Sequence, residues 1–236
     1  MNIFDQSIIG VFNQFAQLSW TVDTLIMTIS DSDLLKGYLS LPLLWWAWFR
    51  GPRQEEDRRT VLLTIFGALS AVAVARLLQL TLPFRSRPIH TADLPFTIPH
   101  SMPADFLDGW SSFPSDHASL FFALATGLWL ISPLIGLFGF LHAALLVSLP
   151  RIYVGLHFPT DILSGAWLGV TAVIIIWKCR GLGRPMLDGI LKWSHSSPHL
   201  FYPALFFLTS ELAHLFKDSR WLAESLWNLV KAAAAH

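Results

Sequence analysis

The chain has 236 residues, 53% of them apolar and 14% charged, with a mean hydropathy of +0.51. Soluble domains carry roughly a quarter charged residues, so this chain lacks the polar groups to cover a water-soluble particle, and a bilayer is its expected solvent. Sixteen basic residues balance sixteen acidic ones, which argues against a nucleic-acid partner, and the single Cys179 excludes an intrachain disulfide or a cysteine-clustered metal site.

The length suits one domain, residues 1–231. No short apolar run with a small-residue cleavage site opens the chain, so no cleaved signal peptide is expected. Ile8, Val11, Phe12, Phe15, Leu18, Val22, Leu25, Ile26 and Ile29 recur at three- and four-residue steps, with Asn13, Gln14, Gln17 and Asp23 on the other side. This pattern predicts an amphipathic helix within residues 1–30. It would lie in the outer interface or form a tilted span packed against the bundle.

A membrane span needs about twenty mostly apolar residues, with about seventeen tolerated. Five runs qualify: 34–49, 61–82, 118–132, 134–149 and 161–177. The loop 50–60 holds Arg50, Arg53, Arg58 and Arg59, and Lys178, Arg180 and Arg184 follow the last run, so both are expected in the cytoplasm. Threading then puts the loop 83–113 and the turn 151–160 outside, and places Trp45, Trp46, Trp48 and Trp177 in interfacial belts. The pair Gly165 and Gly169 reads as a close helix contact. Within the tail 178–231, the run 199–216 is apolar but contains Pro203, Glu211 and His214, which leaves a sixth span and an in-plane helix as alternatives. The end Ala232 to His236 reads as a cloning remnant.

Ionisable residues at membrane depth are costly and mark function. Here they gather in three places near the outer end: Arg85 and Arg87-Pro88, with Arg76 further back; Phe113-Pro114-Ser115-Asp116-His117; and Arg151 through His157 to Asp161. Ser115 or Asp116 can cap one helix and Thr160 or Asp161 the next, and a helix N-terminus flanked by arginines suits a phosphate. His157 and Asp161 are four residues apart, so a helical turn extending back would allow a carboxylate–imidazole bond that leaves the other ring nitrogen as base or nucleophile. His117, on a different helix, could protonate a leaving oxygen. Structural readings stand beside these: satisfied interfacial histidines, snorkelling arginines, and capping alone for Ser115. Metal binding by His117 and His157 lacks a third ligand at metal-site spacing.

These residues resemble the type 2 phosphatidic acid phosphatase superfamily, whose pattern is Lys-x6-Arg-Pro, then Pro-Ser-Gly-His, then Ser-Arg-x5-His-x3-Asp. The third part matches from Arg151 through His157 to Asp161, with Pro150 in place of the serine. The second matches Pro114 to His117, with Asp116 in place of the glycine. The first matches only Arg87-Pro88; Leu80 stands at the lysine position, and Arg76 and the nearer Arg85 are candidates to replace its charge. The resemblance implies an all-α integral membrane protein, a bundle of about six transmembrane helices with its site at the outer face, and no metal or other cofactor. It implies that His157 becomes transiently phosphorylated, that Asp161 orients it and that His117 protonates the departing oxygen. Arg87, Arg151 and Ser115 would hold the phosphoryl group, with Asp116 and Arg85 or Arg76 completing the phosphate-binding set.

Within the superfamily, Phe113 to His117 and the opening 8–29 are similar to bacterial undecaprenyl-diphosphate phosphatases. That implies an inner-membrane enzyme acting on a polyprenyl diphosphate from the outside, its partners being the lipid substrate and the bilayer. Phosphatidate, phosphatidylglycerophosphate and lipid A 1-phosphate are alternative substrates, and phosphotransfer an alternative reaction. A transporter or flippase is the non-enzyme alternative, although the sequence has no internal repeat of the kind such folds use.

Overall fold

The computed structural model describes residues 2–234; of the terminal run read as a remnant, residues 235 and 236 lie outside it. Every regular element among the described residues is helical. The elements are α1 (Ile3–Asn13), α2 (Trp20–Asp31), α3 (Leu39–Phe49), α4 (Gln54–Thr81), α5 (Asp116–Ile131), α6 (Pro133–His142), α7 (Leu149–Tyr153), α8 (Pro159–Lys178), α9 (Arg184–Ser196), α10 (Pro198–Ala213) and α11 (Lys217–Ala234). A wide helical turn, Leu34–Tyr38, leads into α3, and another, Ala143–Ser148, joins α6 to α7.

Three helical stretches are long and apolar enough to cross a bilayer: Gln54–Thr81, Pro133–Tyr153 and Pro159–Lys178. The shorter apolar α5 is the central helix, packed against α4, α6 and α8. Ser115 caps its start, and Ser132 ends it and opens α6, whose Pro133 fills the first-turn position where a missing N–H costs nothing. The α5–α8 contact depends on the glycine pair: a Cβ on Gly165 would sit 2.3 Å from the Ser115 carbonyl oxygen, and one on Gly169 2.2 Å from that of Ser119. The close packing expected of these glycines is therefore present, and it holds the start of α8 against the start of α5.

Three expectations are revised. The amphipathic opening is two helices, broken where Gln17 turns through φ +64° and Ser19 caps α2. Asp23, read on the polar side, is fully buried, where it accepts hydrogen bonds from the Tyr153 hydroxyl and from the backbone N–H of His100 and Gln17. The polar side of the opening holds the long loop: Asn13 Nδ2 donates to the Thr97 carbonyl at 2.7 Å and Gln17 Nε2 to that of Ile98 at 2.8 Å.

Second, most of the charged loop is helix. The chain enters α4 at Gln54, and Glu55, Glu56 and Asp57 lie in its first turn, where acids complement the helix dipole. Arg58 is buried beside Trp48, donating to its carbonyl and lying over its ring, while Arg50 pairs with Asp57 at 3.0 Å. Third, Trp48 belongs to the core, stacked on Phe201 with ring centroids 5.5 Å apart, rather than to an interfacial belt.

That stacking fixes one end of α10, and the close approach of Gly37 to Ala213 fixes the other. The helix therefore runs antiparallel alongside residues 34–49. It delivers α11 to the same end of the bundle as the Arg, His and Asp motifs.

Candidate active site

The turn between α7 and α8 positions two of the predicted residues. Gly155 adopts φ +77° with Phe96 packed so close that a Cβ would meet its ring at 2.6 Å. The chain folds back there, so the N–H groups of Leu156 and His157 both donate to the Arg151 carbonyl. His157 is 2% exposed, and its Nδ1 lies 2.9 Å from the carbonyl oxygen of Ser112. A carbonyl only accepts, so Nδ1 carries the proton and Nε2 keeps its lone pair.

The carboxylate expected to orient this ring lies close to it but makes its short bonds elsewhere. Helix α8 starts at Pro159, too late to place His157 on its face, and Asp161 Oδ2 is 3.7 Å from the imidazole Nδ1. The carboxylate instead accepts from the Phe158 N–H at 2.7 Å and from Arg85 Nη1 at 2.6 Å. Asp161 caps α8 and supplies negative charge beside the ring, while the Ser112 carbonyl sets the tautomer.

His117 stands at the start of α5 with Nδ1 2.9 Å from Asp116 Oδ1, so its Nε2 is also the nitrogen left for the cavity. Asp116 Oδ2 in turn pairs with Arg76 at 2.5 Å. The carboxylate in the motif's glycine position is thus neutralised by Arg76, and the three residues form a relay that holds His117. Arg76 lies on α4 one turn before Leu80, which occupies the motif's lysine position and is 78% exposed.

Arg87 and Arg151 are 6% and 5% exposed. Arg87 Nη1 donates to the Leu156 carbonyl at 2.7 Å, while the Nε atoms of both arginines are buried without an acceptor. Burial lowers the Arg87 pKa, with Asp116 and Asp161 acting against that shift. Both side chains line a cavity of about 290 Å³ together with Arg76, Asp116, His117 and His157.

Two expected phosphate ligands lie outside that lining. Ser115 is fully buried and its Oγ accepts the Ala118 N–H. Arg85 is held by Asp5 Oδ2 at 2.7 Å and Asp161 Oδ1 at 2.6 Å, with Phe158 beneath its guanidinium. Two carboxylates satisfy it, so it braces the scaffold. The helix N-termini are also occupied: Asp116 takes the His117 N–H, Ser115 that of Ala118, and Asp5 that of Thr160. Charge for an anion therefore comes from guanidinium groups.

Asp5 and the Ser112 carbonyl were not singled out in the sequence, because neither belongs to a motif. Four residues of α11, Lys217, Arg220, Trp221 and Glu224, also line the cavity. Their three- and four-residue spacing was a readable helical signal. Among the described residues, no group of three or more His, Cys, Asp or Glu is arranged to hold a metal ion.

Burial lowers the His157 pKa from 6.5; the nearby Asp161 opposes the shift and Arg87 adds to it. The ring gains its second proton as pH falls through the lowered pKa and then loses its nucleophilic lone pair. The acid limb of kcat/KM is accordingly expected below pH 6.5. A pH–rate profile with that limb at or above 6.5 would contradict the assignment.

The fold and site define a helical membrane protein with a cationic cavity at one end of its bundle, lined by two histidines whose Nδ1 atoms are engaged elsewhere. Residues 60–184 match the family described as the PAP2 superfamily, and the chain belongs to it. It is 38% identical over 73 residues to the bacitracin transport permease protein BcrC of Bacillus licheniformis, a match covering 30% of this chain and 36% of that relative. The chain thus spans about a third of that relative's length. It is 24% identical over 179 residues to the undecaprenyl-diphosphatase BcrC of Bacillus subtilis (strain 168), covering 72% of this chain and 81% of the relative. Among solved structures, Aquifex aeolicus LpxE aligns with a TM-score of 0.51 and 24% identity, over 75% of this chain and 99% of its own, which supports the fold.

Proposed function

We propose that the protein is a membrane lipid phosphatase that converts undecaprenyl diphosphate to undecaprenyl phosphate through a phosphohistidine on His157. One observation carries this reading: the free Nε2 of His157 faces the same cavity as His117, Arg87 and Arg151. Arg87 and Arg151 hold the oxygens of the terminal phosphoryl group, as forked, permanently charged donors do well. The Nε2 lone pair of His157 attacks phosphorus, the bond to the bridging oxygen breaks, and His117, entering the step as an imidazolium whose Nδ1–H is held by Asp116, gives that oxygen its Nε2 proton. Water then attacks the phosphohistidine while His117 takes a proton back, and inorganic phosphate leaves with His157 restored. Catalysis of this kind consists mainly of positioning and charge stabilisation. The arginines supply the charge that a metal ion would otherwise provide, so metal independence is part of the proposal.

A lipid substrate is supported by the position of the cavity at the end of membrane-crossing helices. Beside it, an apolar groove of about 350 Å³ between α4 and α8 is lined by Leu78, Phe113, Pro114, Leu163 and Trp167. The basic residues Arg53, Arg59, Arg180 and Arg184 lie around the start of α4 and the end of α8, away from the cavity. By the positive-inside rule, this favours a bacterial inner-membrane protein with its site on the outer side.

The test is phosphate release by detergent-purified protein in excess EDTA, with undecaprenyl diphosphate and phosphatidate side by side. Faster release from the polyprenyl substrate is expected. Faster phosphatidate turnover would move the reading to glycerolipid metabolism, and loss of activity in EDTA would overturn metal independence.

A further inference from the structure

Helix α11 is amphipathic in an unusual sense. Lys217, Arg220, Trp221 and Glu224 fall on one face at helical spacing, and all four line the cavity that His117 and His157 face. Leu222, Leu226 and Leu229 form the opposite stripe and are 53%, 54% and 66% exposed. The charged face is therefore turned toward the site and the apolar stripe away from it, as suits a helix lying at the bilayer interface across the cavity. It is tied down at its start, where Ser219 Oγ donates to Glu211 at 2.6 Å and Lys217 lies 3.8 Å from Asp33.

The charges in the cavity exceed what one phosphate needs. Arg76 is spent on Asp116, and Arg87 and Arg151 stand buried with the histidines, where the transferring group must sit. Arg220 remains, together with Lys217, whose only ion pair is the exposed and therefore weak one with Asp33 at 3.8 Å; both are exposed and so nearer the mouth, with Glu224 the acidic residue among the α11 lining residues. A phosphate monoester carries about −1.5 to −2 charges. A diphosphate adds about one more, on a phosphate that lies further from the nucleophile.

We propose that Lys217 and Arg220 form a second anion subsite, which holds the phosphate that stays on the lipid while the terminal one is transferred to His157. This inference rests on the lipid-phosphatase reading and deepens it: α11 is the element that selects diphosphate over monophosphate lipids. Arg220 contributes the more, because its fork can bind two phosphoryl oxygens at once. Glu224 sets an upper bound on anion affinity.

The test measures binding of inorganic pyrophosphate and inorganic phosphate to the detergent-solubilised full chain by calorimetry. The wild-type protein should prefer pyrophosphate. The double substitution Lys217→Gln with Arg220→Gln should weaken pyrophosphate binding by about tenfold, roughly one lost charge-assisted contact of 1.4 kcal/mol, and phosphate binding by less than about threefold. Glu224→Gln should tighten pyrophosphate, and Arg220→Lys should restore only part of the preference. All three side chains are exposed and the Lys217–Asp33 pair is a weak exposed one, so only a small change in the thermal midpoint is expected and it serves as the folding control. Equal losses for both anions, or none for either, would overturn the subsite. Because free anions are read directly, a protein that shows the preference yet releases no phosphate from undecaprenyl diphosphate would refute the function and leave the subsite standing. Release from that lipid unaffected by the double substitution, with no change in pyrophosphate affinity, would do the reverse.

Discussion

Alanine in place of His157 is expected to lower turnover of any lipid phosphate by at least about 10³-fold, the scale seen when a covalent nucleophile is removed. Its Nε2 is the nitrogen with a free lone pair in the cavity, because Nδ1 is engaged by the Ser112 carbonyl. Purified, folded His157→Ala that retained activity would sink the mechanism. The companion variant His117→Ala separates the two histidines by leaving group. Splitting a phosphate monoester expels an alkoxide, which needs a proton badly, whereas splitting a lipid diphosphate expels a phosphate, which needs it much less. Loss in His117→Ala should therefore be about tenfold or more greater on phosphatidate than on undecaprenyl diphosphate. Identical losses on both lipids would remove His117 from the acid role and leave it as a positioning residue.

The residues that carry this chemistry were legible because the chemistry restricts residue types. Phosphoryl transfer without a metal calls for arginines, a nucleophile and an acid, and His157, His117, Arg87 and Arg151 all reach one cavity. Less legible was how they are held. The spacing of His157 and Asp161 suggested a direct bond, yet the helix begins two residues after the histidine and a backbone carbonyl from the long loop takes the Nδ1–H. Backbone acceptors leave no mark in a sequence. The sequence left Arg76 and Arg85 both open as replacements for the missing lysine; Arg76 lines the cavity, and the nearer Arg85 does not. Its charge is claimed by Asp5, on a helix whose pattern showed only amphipathicity.

The fold was legible where apolarity alone decides it and less so where charge is buried in pairs. Counting charged residues against the membrane began the second span at Val61. In the protein, α4 continues back through Asp57 and Arg58 because Arg50 and the Trp48 carbonyl satisfy them. Helix α11 was not singled out in the sequence, because its charges reach the cavity only through the way α10 packs beside residues 34–49.

Arg85→Met is expected to be the most destabilising substitution near the site, and it distinguishes a brace from a ligand. Asp5 and Asp161 are both fully buried and meet at this guanidinium, which also donates to Thr160 Oγ1 at 3.0 Å. Removing one member of a buried ionic cluster leaves charge without compensation and typically costs about 3–5 kcal/mol. Arg85 is 28% exposed, so the lower end of that range applies. The thermal midpoint in detergent should fall by several degrees, and activity should fall with it, because Asp161 would lose the partner that steadies the cap of α8 beside His157. Adding Asp5→Asn should recover part of the lost stability by removing one of the stranded carboxylates, a coupling that a double-mutant cycle reads directly. A phosphate ligand would behave otherwise: the midpoint would stay put, KM would rise, and Asp5→Asn would rescue nothing. That second pattern would return Arg85 to the cavity and take from Asp5 its place in the scaffold.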